Sequence, residues 1–188
     1  MKKLLLAAII SLTTISSVAL AEIKVGIILG FTGPIETLTP AMRDSAKLAF
    51  AEVSASGALL GGETITPLIG DSTCVDSDAA VAAAELIVSD GAVAIMGADC
   101  SGVTGAIVTN VAVPNGITMV SPSATSPGLT SLADNGLFFR TAPSDAKGGQ
   151  VLAQVALDRG LTSVAVTYTN NDYGKGLADV FEASFTSG

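Results

Sequence analysis

The sequence contains no histidine and no tryptophan, and aromatic residues make up only 4% of its 188 positions. Without histidine there can be no Ser-His-Asp or Cys-His nucleophilic pair and no imidazole metal ligand. Cysteine occurs twice, too few to build a zinc site alone. Basic charge is scarce: nine Lys and Arg stand against 17 Asp and Glu, for a net charge of −8. That balance argues against a nucleic-acid partner, since phosphate binding needs clustered cations. Charged residues of both signs reach only 14%, below the roughly 25% typical of globular chains. The surface must therefore be carried largely by Ser, Thr, Gly and Asn.

What is present begins with a leader. Lys2 and Lys3 form a positive start, Leu4 to Val18 is apolar, and Ala19-Leu20-Ala21 has the form of a signal-peptidase site. The stretch is short for a membrane span, and Ser11, Thr13, Thr14, Ser16 and Ser17 interrupt it. Residues 1–21 therefore read as a signal peptide cleaved after Ala21, leaving a mature chain that starts at Glu22 with net charge −10. No cysteine lies near the cleavage point to take a lipid, and no later run approaches membrane length. Export also gives the cysteines a meaning. Cys74 and Cys100 enter an oxidising compartment as an even pair and read as a disulfide, which no C-x-x-C spacing competes with as a redox motif.

The rest of the chain alternates between two periods. Ile23–Leu29, Thr64–Ile69, Ala92–Met96, Ile117–Val120 and Leu137–Arg140 are short apolar or β-branched runs, read as five strands. Pro67 predicts an edge position for the second of them. Between them lie helical patterns. Met42, Ala46, Ala49, Phe50 and Val53 fall on one face of a helix over Thr39–Ala55. Asp76 to Asp78 caps an Ala-rich helix ending near Ser89, and Ser101 opens another that runs to about Asn110. After Ala142-Pro143-Ser144, a crossing point, come a helix over Asp145–Asp158, a sixth strand over Val164–Tyr168 and a last helix over Gly174–Phe185. The fold class is α/β with a three-layer parallel sheet. Residues 22–142 make a first lobe nearly complete, and residues 143–188 begin a second.

Three loops stand at the carboxyl ends of strands, where open α/β sheets bind small ligands. Gly97-Ala98-Asp99-Cys100-Ser101-Gly102 brings free N–H groups and a hydroxyl to a helix start, a setting that suits a carboxylate, although Ser101 as a simple cap reads equally well. Ser121-Pro122-Ser123-Ala124-Thr125-Ser126-Pro127 packs hydroxyls into a proline-stiffened loop, and two such loops after consecutive strands would face one cleft. Tyr173 stands just before a helix and could cover a ligand or merely pack. Gly26, Gly30 and Gly33 follow the first strand, but their G-x3-G-x2-G spacing departs from the dinucleotide pattern. They read instead as a turn that lies close to a small ligand.

Taken in order, Phe31-Thr32-Gly33-Pro34-Ile35, Ala55-Ser56-Gly57, Asp71-Ser72-Thr73-Cys74, Gly97 to Ser101, Ser121 to Thr125 and Asn171-Asp172-Tyr173-Gly174 resemble the leucine/isoleucine/valine-type substrate-binding proteins of ABC transporters, of the type I periplasmic binding fold. The resemblance covers essentially all of the mature chain. It implies two α/β lobes joined by three crossings, with an amino acid or related solute such as an amide held in the cleft between them. It places the ligand α-carboxylate on Ser101 and Thr125, with main-chain groups of Ser123 and Ala124 beside them. It matches Cys74 and Cys100 to the family disulfide and Tyr173 to a cleft aromatic of the second lobe. The aromatic of the first helix-entry loop appears here as Leu38, with Phe31 nearby.

The same resemblance implies a chain about twice this length, whose second-lobe acid and returning strands lie beyond Gly188. The expectation is a monomeric periplasmic carrier, needing no cofactor and catalysing no reaction, that hands its ligand to an inner-membrane permease. A receptor or regulator domain of the same fold and an exported nucleotide-dependent enzyme are the alternatives.

Overall fold

The computed structural model describes residues 22–188, so the leader expected over residues 1–21 lies outside the described residues. Five strands form one parallel sheet: β1 (Glu22–Leu29), β2 (Thr64–Asp71), β3 (Ala94–Gly97), β4 (Thr118–Ser121) and β5 (Phe138–Arg140). Their order is β2-β1-β3-β4-β5, with Val25 of β1 opposite Pro67 on one side and Ala94 on the other. Pro67 thus lies on an edge strand, where its missing N–H costs no ladder bond on the outer side. The strands connect through α1 (Thr39–Ser56), α2 (Ser77–Ser89) and α3 (Ser101–Ile107). Right-handed crossovers put α1 on one face and α2 and α3 on the other, and α2 packs against α3.

Local chemistry explains the helix ends. Asp76 accepts from the N–H groups of Asp78 and Ala79, both at 3.0 Å, and so starts α2 as expected. Gly57 closes α1 with φ of +65°. α3 runs on past Asn110 through a π turn (Val108–Ala112) into α4 (Val113–Asn115). Pro114 has no N–H for the carbonyl four residues back, and the helix widens just before it.

The core lies between the sheet and the α2–α3 layer. Ile28, Ile95 and Met119 from the strands meet Ile87, Val103, Ile107 and Val111 from the helices. Each such side chain contributes about 1.5–3 kcal/mol by leaving water. Gly26 belongs to this packing and not to a turn. A Cβ on Gly26 or on Gly70 would come 2.8 Å from an Ile87 methyl, so the two glycines let α2 rest close on β1 and β2.

Two expectations need correction. Of the face predicted for α1, Met42, Ala46 and Phe50 are half-buried while Ala49 and Val53 are exposed. The helix rests on β1 and β2, and no helix packs along its outer flank among the described residues. Second, Val164–Tyr168 forms no sixth strand. It lies between α5 (Ala146–Asp158) and α6 (Asp172–Ser187) and pairs with no segment among the described residues. A strand exists only through a neighbour's hydrogen bonds, and here none is alongside. α5 and α6 instead pack on each other, with Gly149 so close that a Cβ there would meet Val180 at 2.9 Å.

Candidate functional site

The loops at the carboxyl ends of the strands are held by two acids, a serine and an arginine. Asp99 is buried, and its carboxylate accepts from the Gly30 N–H at 2.9 Å, the Cys100 N–H at 3.0 Å and the Ser72 hydroxyl at 3.2 Å. It ties the ends of β1, β2 and β3 into one rim. The Cys74–Cys100 disulfide crosses the same rim, with its Cα atoms 5.2 Å apart. Asp71 organises the loop after β1 by accepting from the Phe31, Thr32 and Thr73 N–H groups and from the Thr32 hydroxyl at 2.7 Å. Partial desolvation works to raise its pKa, but these hydrogen bonds outweigh it and hold the carboxyl below its ordinary value.

The loop after β4 is equally constrained. The Ser121 hydroxyl donates to the Ala98 carbonyl at 2.5 Å and accepts from the Ala124 N–H at 3.0 Å. Arg140, at the end of β5, donates to the Ala124 and Ser126 carbonyls at 3.2 and 2.8 Å. Both backbone groups of Ala124 are therefore engaged within the protein, the carbonyl keeping a second lone pair. The Ser123 hydroxyl donates to the Asp99 carbonyl at 3.0 Å, bracing one loop on the other.

Two hydroxyls remain for a ligand, and they differ in polarity. Ser101, 2% exposed, accepts from the Ser126 N–H at 3.1 Å, which leaves its own proton free to donate. The N–H groups of Ser101, Gly102 and Thr125 have no acceptor among the described residues. Thr125 is the reverse. Its hydroxyl donates to the Asp145 carboxylate at 2.7 Å, so it turns lone pairs outward.

The α6 end of the chain approaches these loops. A cavity of about 670 Å³ opens between α3, the 3-10 turn Pro127–Ser131 and α6, lined by Ser101, Ser126, Asp172 and Lys175 among others. A Cβ on Gly102 would lie 3.6 Å from the Asp172 carboxylate, and one on Gly176 would lie 2.8 Å from the Ser126 hydroxyl. Of the residues expected at the site, only Ser101 lines this cavity. Tyr173 is half-exposed and faces a second hollow of about 560 Å³ with Val164, Val166 and Tyr168. Leu38 is exposed ahead of α1, and the Phe31 ring carries the Arg43 guanidinium 5.9 Å from its centroid. Neither lines these two cavities. Asp145, Asp99, Ser121 and Arg140 were not predicted. Their partners are set by loop conformation, and no spacing motif announces them.

A family model described as periplasmic binding protein matches residues 22–188. The chain belongs to the periplasmic binding protein family. As a periplasmic binding protein it is 32% identical over 187 residues to the Leu/Ile/Val-binding protein BraC3 of Rhizobium johnstonii, covering 99% of this chain and 50% of that one. It is 31% identical over 188 residues to the Leu/Ile/Val-binding protein of Escherichia coli, with coverage of 99% and 50%. The chain thus spans about half the length of the curated relatives it matches. Among solved structures, the branched-chain amino acid binding protein LivJ of Streptococcus pneumoniae, in complex with isoleucine, shares 28% identity and a TM-score of 0.72 over 88% of this chain and 47% of that one. A solute-binding protein of R. palustris in complex with 4-hydroxybenzoate has a TM-score of 0.72 at 23% identity, over 89% of this chain and 44% of that one, a likeness of fold.

Proposed function

We propose that this chain is the first half of an extracytoplasmic solute-binding protein of an ABC importer, and that it binds a branched-chain or related amino acid. The observation that carries the reading is the placement of Ser101 and Thr125 in the segments that follow the adjacent parallel strands β3 and β4, in a member of this family. A carboxylate leaving water needs several donors, and charge-assisted hydrogen bonds are the strong ones. Ser101 offers its hydroxyl proton, and the N–H groups of Ser101, Gly102 and Thr125 stand unengaged beside it. The Thr125 oxygen offers the complementary acceptor for an ammonium.

In this reading residues 22–142 form the first lobe and the α5–α6 segment begins the second. Ligand shifts the open–closed balance by contacts made only when the lobes close, and the closed form is what an inner-membrane permease would take up. No step requires covalent chemistry, so the protein acts as a carrier and not an enzyme. Tyr173, Leu38 and Phe31 would contribute to the wall of the cleft only when the lobes close on ligand.

The test is a titration of the 188-residue chain with L-leucine, L-isoleucine and L-valine, and with NAD as a control, followed by amide chemical shifts. Saturable shifts at Ser101 and Thr125 are expected near millimolar amino acid, where a binding free energy of about 4 kcal/mol is enough. No shift with any amino acid up to about 10 mM, or a response to NAD alone, would overturn the reading.

A further inference from the structure

Arg140 ends β5 opposite Ser121, the last residue of β4, and its side chain reaches the loop that follows β4. There the guanidinium donates to three groups: the Ala124 carbonyl at 3.2 Å, the Ser126 carbonyl at 2.8 Å and the Thr130 hydroxyl at 2.6 Å. All three are neutral. The residue is half-buried, and no carboxylate pairs with it among the described residues. A cation drawn partly out of water is ordinarily matched by an acid. This one faces carbonyl oxygens instead.

The two carbonyls differ in what lies behind them. The Ser126 carbonyl belongs to the peptide shared with Pro127, which carries no N–H, so that bond only anchors the loop. The Ala124 carbonyl belongs to the peptide whose N–H is that of Thr125. That N–H has no acceptor among the described residues. The carbonyl and the N–H of one peptide are conjugated. A positive charge on the oxygen therefore draws electron density from the nitrogen and makes the N–H a stronger donor.

We propose that Arg140 is a positioning residue whose charge, relayed through the Ala124–Thr125 peptide, strengthens the Thr125 N–H as a donor to an anionic ligand group. The inference rests on the amino-acid-binding reading given above. A ligand carboxylate takes the peptide from its N–H side while Arg140 holds it from the carbonyl side. The unmatched guanidinium charge then gains a counter-charge without touching the ligand. The bonds to Ser126 and Thr130 keep the guanidinium on the loop, where exclusion of water strengthens its field.

The experiment compares L-leucine with L-leucinamide, which has the same shape and ammonium but a neutral amide in place of the carboxylate. Both are titrated at neutral pH into the wild-type 188-residue chain, Arg140→Gln and Arg140→Lys. Affinities are read from amide shifts, and circular dichroism melts record folding. The wild type is expected to prefer leucine by about tenfold or more. Arg140→Gln keeps an N–H donor for the carbonyls but no charge. Its preference should fall about fivefold through weaker leucine binding, with leucinamide changed less than about twofold. Arg140→Lys keeps the charge without the fork and should hold the preference within about twofold, even where both ligands weaken. Equal weakening of both ligands in Arg140→Gln would make Arg140 a mere brace for the loop and overturn the proposal. A lysine variant that loses the preference, or a wild type that binds both ligands alike, would overturn it too. If Arg140→Gln does not fold, the ratio in Arg140→Lys decides alone. Failure of the wild type to bind leucine would instead overturn the functional reading itself.

Discussion

Single carboxylates do much of the organising. Asp99 gathers three donors from three loops, the buried Gly30 N–H and Ser72 hydroxyl among them. Asp71 does the same for the first loop, nearer to solvent. Its carboxyl is held below the ordinary value of 3.8, so it binds protons less readily in the folded than in the unfolded chain. The stability it contributes is therefore present above that ordinary value and is lost as pH falls through the lower, folded one. Asp71→Asn is expected to flatten the acid limb of the stability–pH curve. Urea midpoints at neutral pH and at about pH 3 would check this, the drop between them being smaller in the variant. At this scale the sequence was only half legible. Ser101 and Thr125 stood out as hydroxyls after strands. Which of them gives a proton and which accepts one depends on Ser126 and Asp145, and no spacing rule brings Asp145 beside Thr125, 20 positions earlier.

Elements were far more legible than contacts. Alternating short apolar runs and helical periods predicted five parallel strands, and all five occur within two residues of their expected bounds. Those patterns report burial on a sheet or a helix face, which is local information. The run Val164–Tyr168 carries the same pattern, yet a ladder needs a second strand, which the run itself cannot supply. The disulfide belongs to this scale too, since it joins the β2–α2 connection to the start of α3 across 26 positions. Closing a loop of that size removes unfolded-chain entropy worth about 3.5 kcal/mol in the chain-entropy account. The double variant Cys74→Ala with Cys100→Ala should lose about that much, read as a lower denaturant midpoint with little change in slope. Reduction of the wild type by dithiothreitol should have the same effect.

At the scale of the whole chain, a five-stranded α/β sheet carries a further segment that, among the described residues, consists of two helices and one unpaired run. Val164, Val166 and Tyr168 are between 36% and 52% exposed, and Leu152 of α5 is exposed beside them. A β-rich, uncharged run whose two backbone edges lie open is a template for self-addition, and natural sheets guard such edges with charge or proline. Handling of the isolated 188-residue chain should be governed by this run and not by the sheet. At high concentration it is expected to form β-rich oligomers that bind thioflavin. Val166→Lys should delay them severalfold without altering the near-native melting of the sheet, as light scattering and circular dichroism would record. The five amino acids from Val164 to Tyr168 would then set the shelf life of the purified polypeptide, and its storage buffer should be chosen for them.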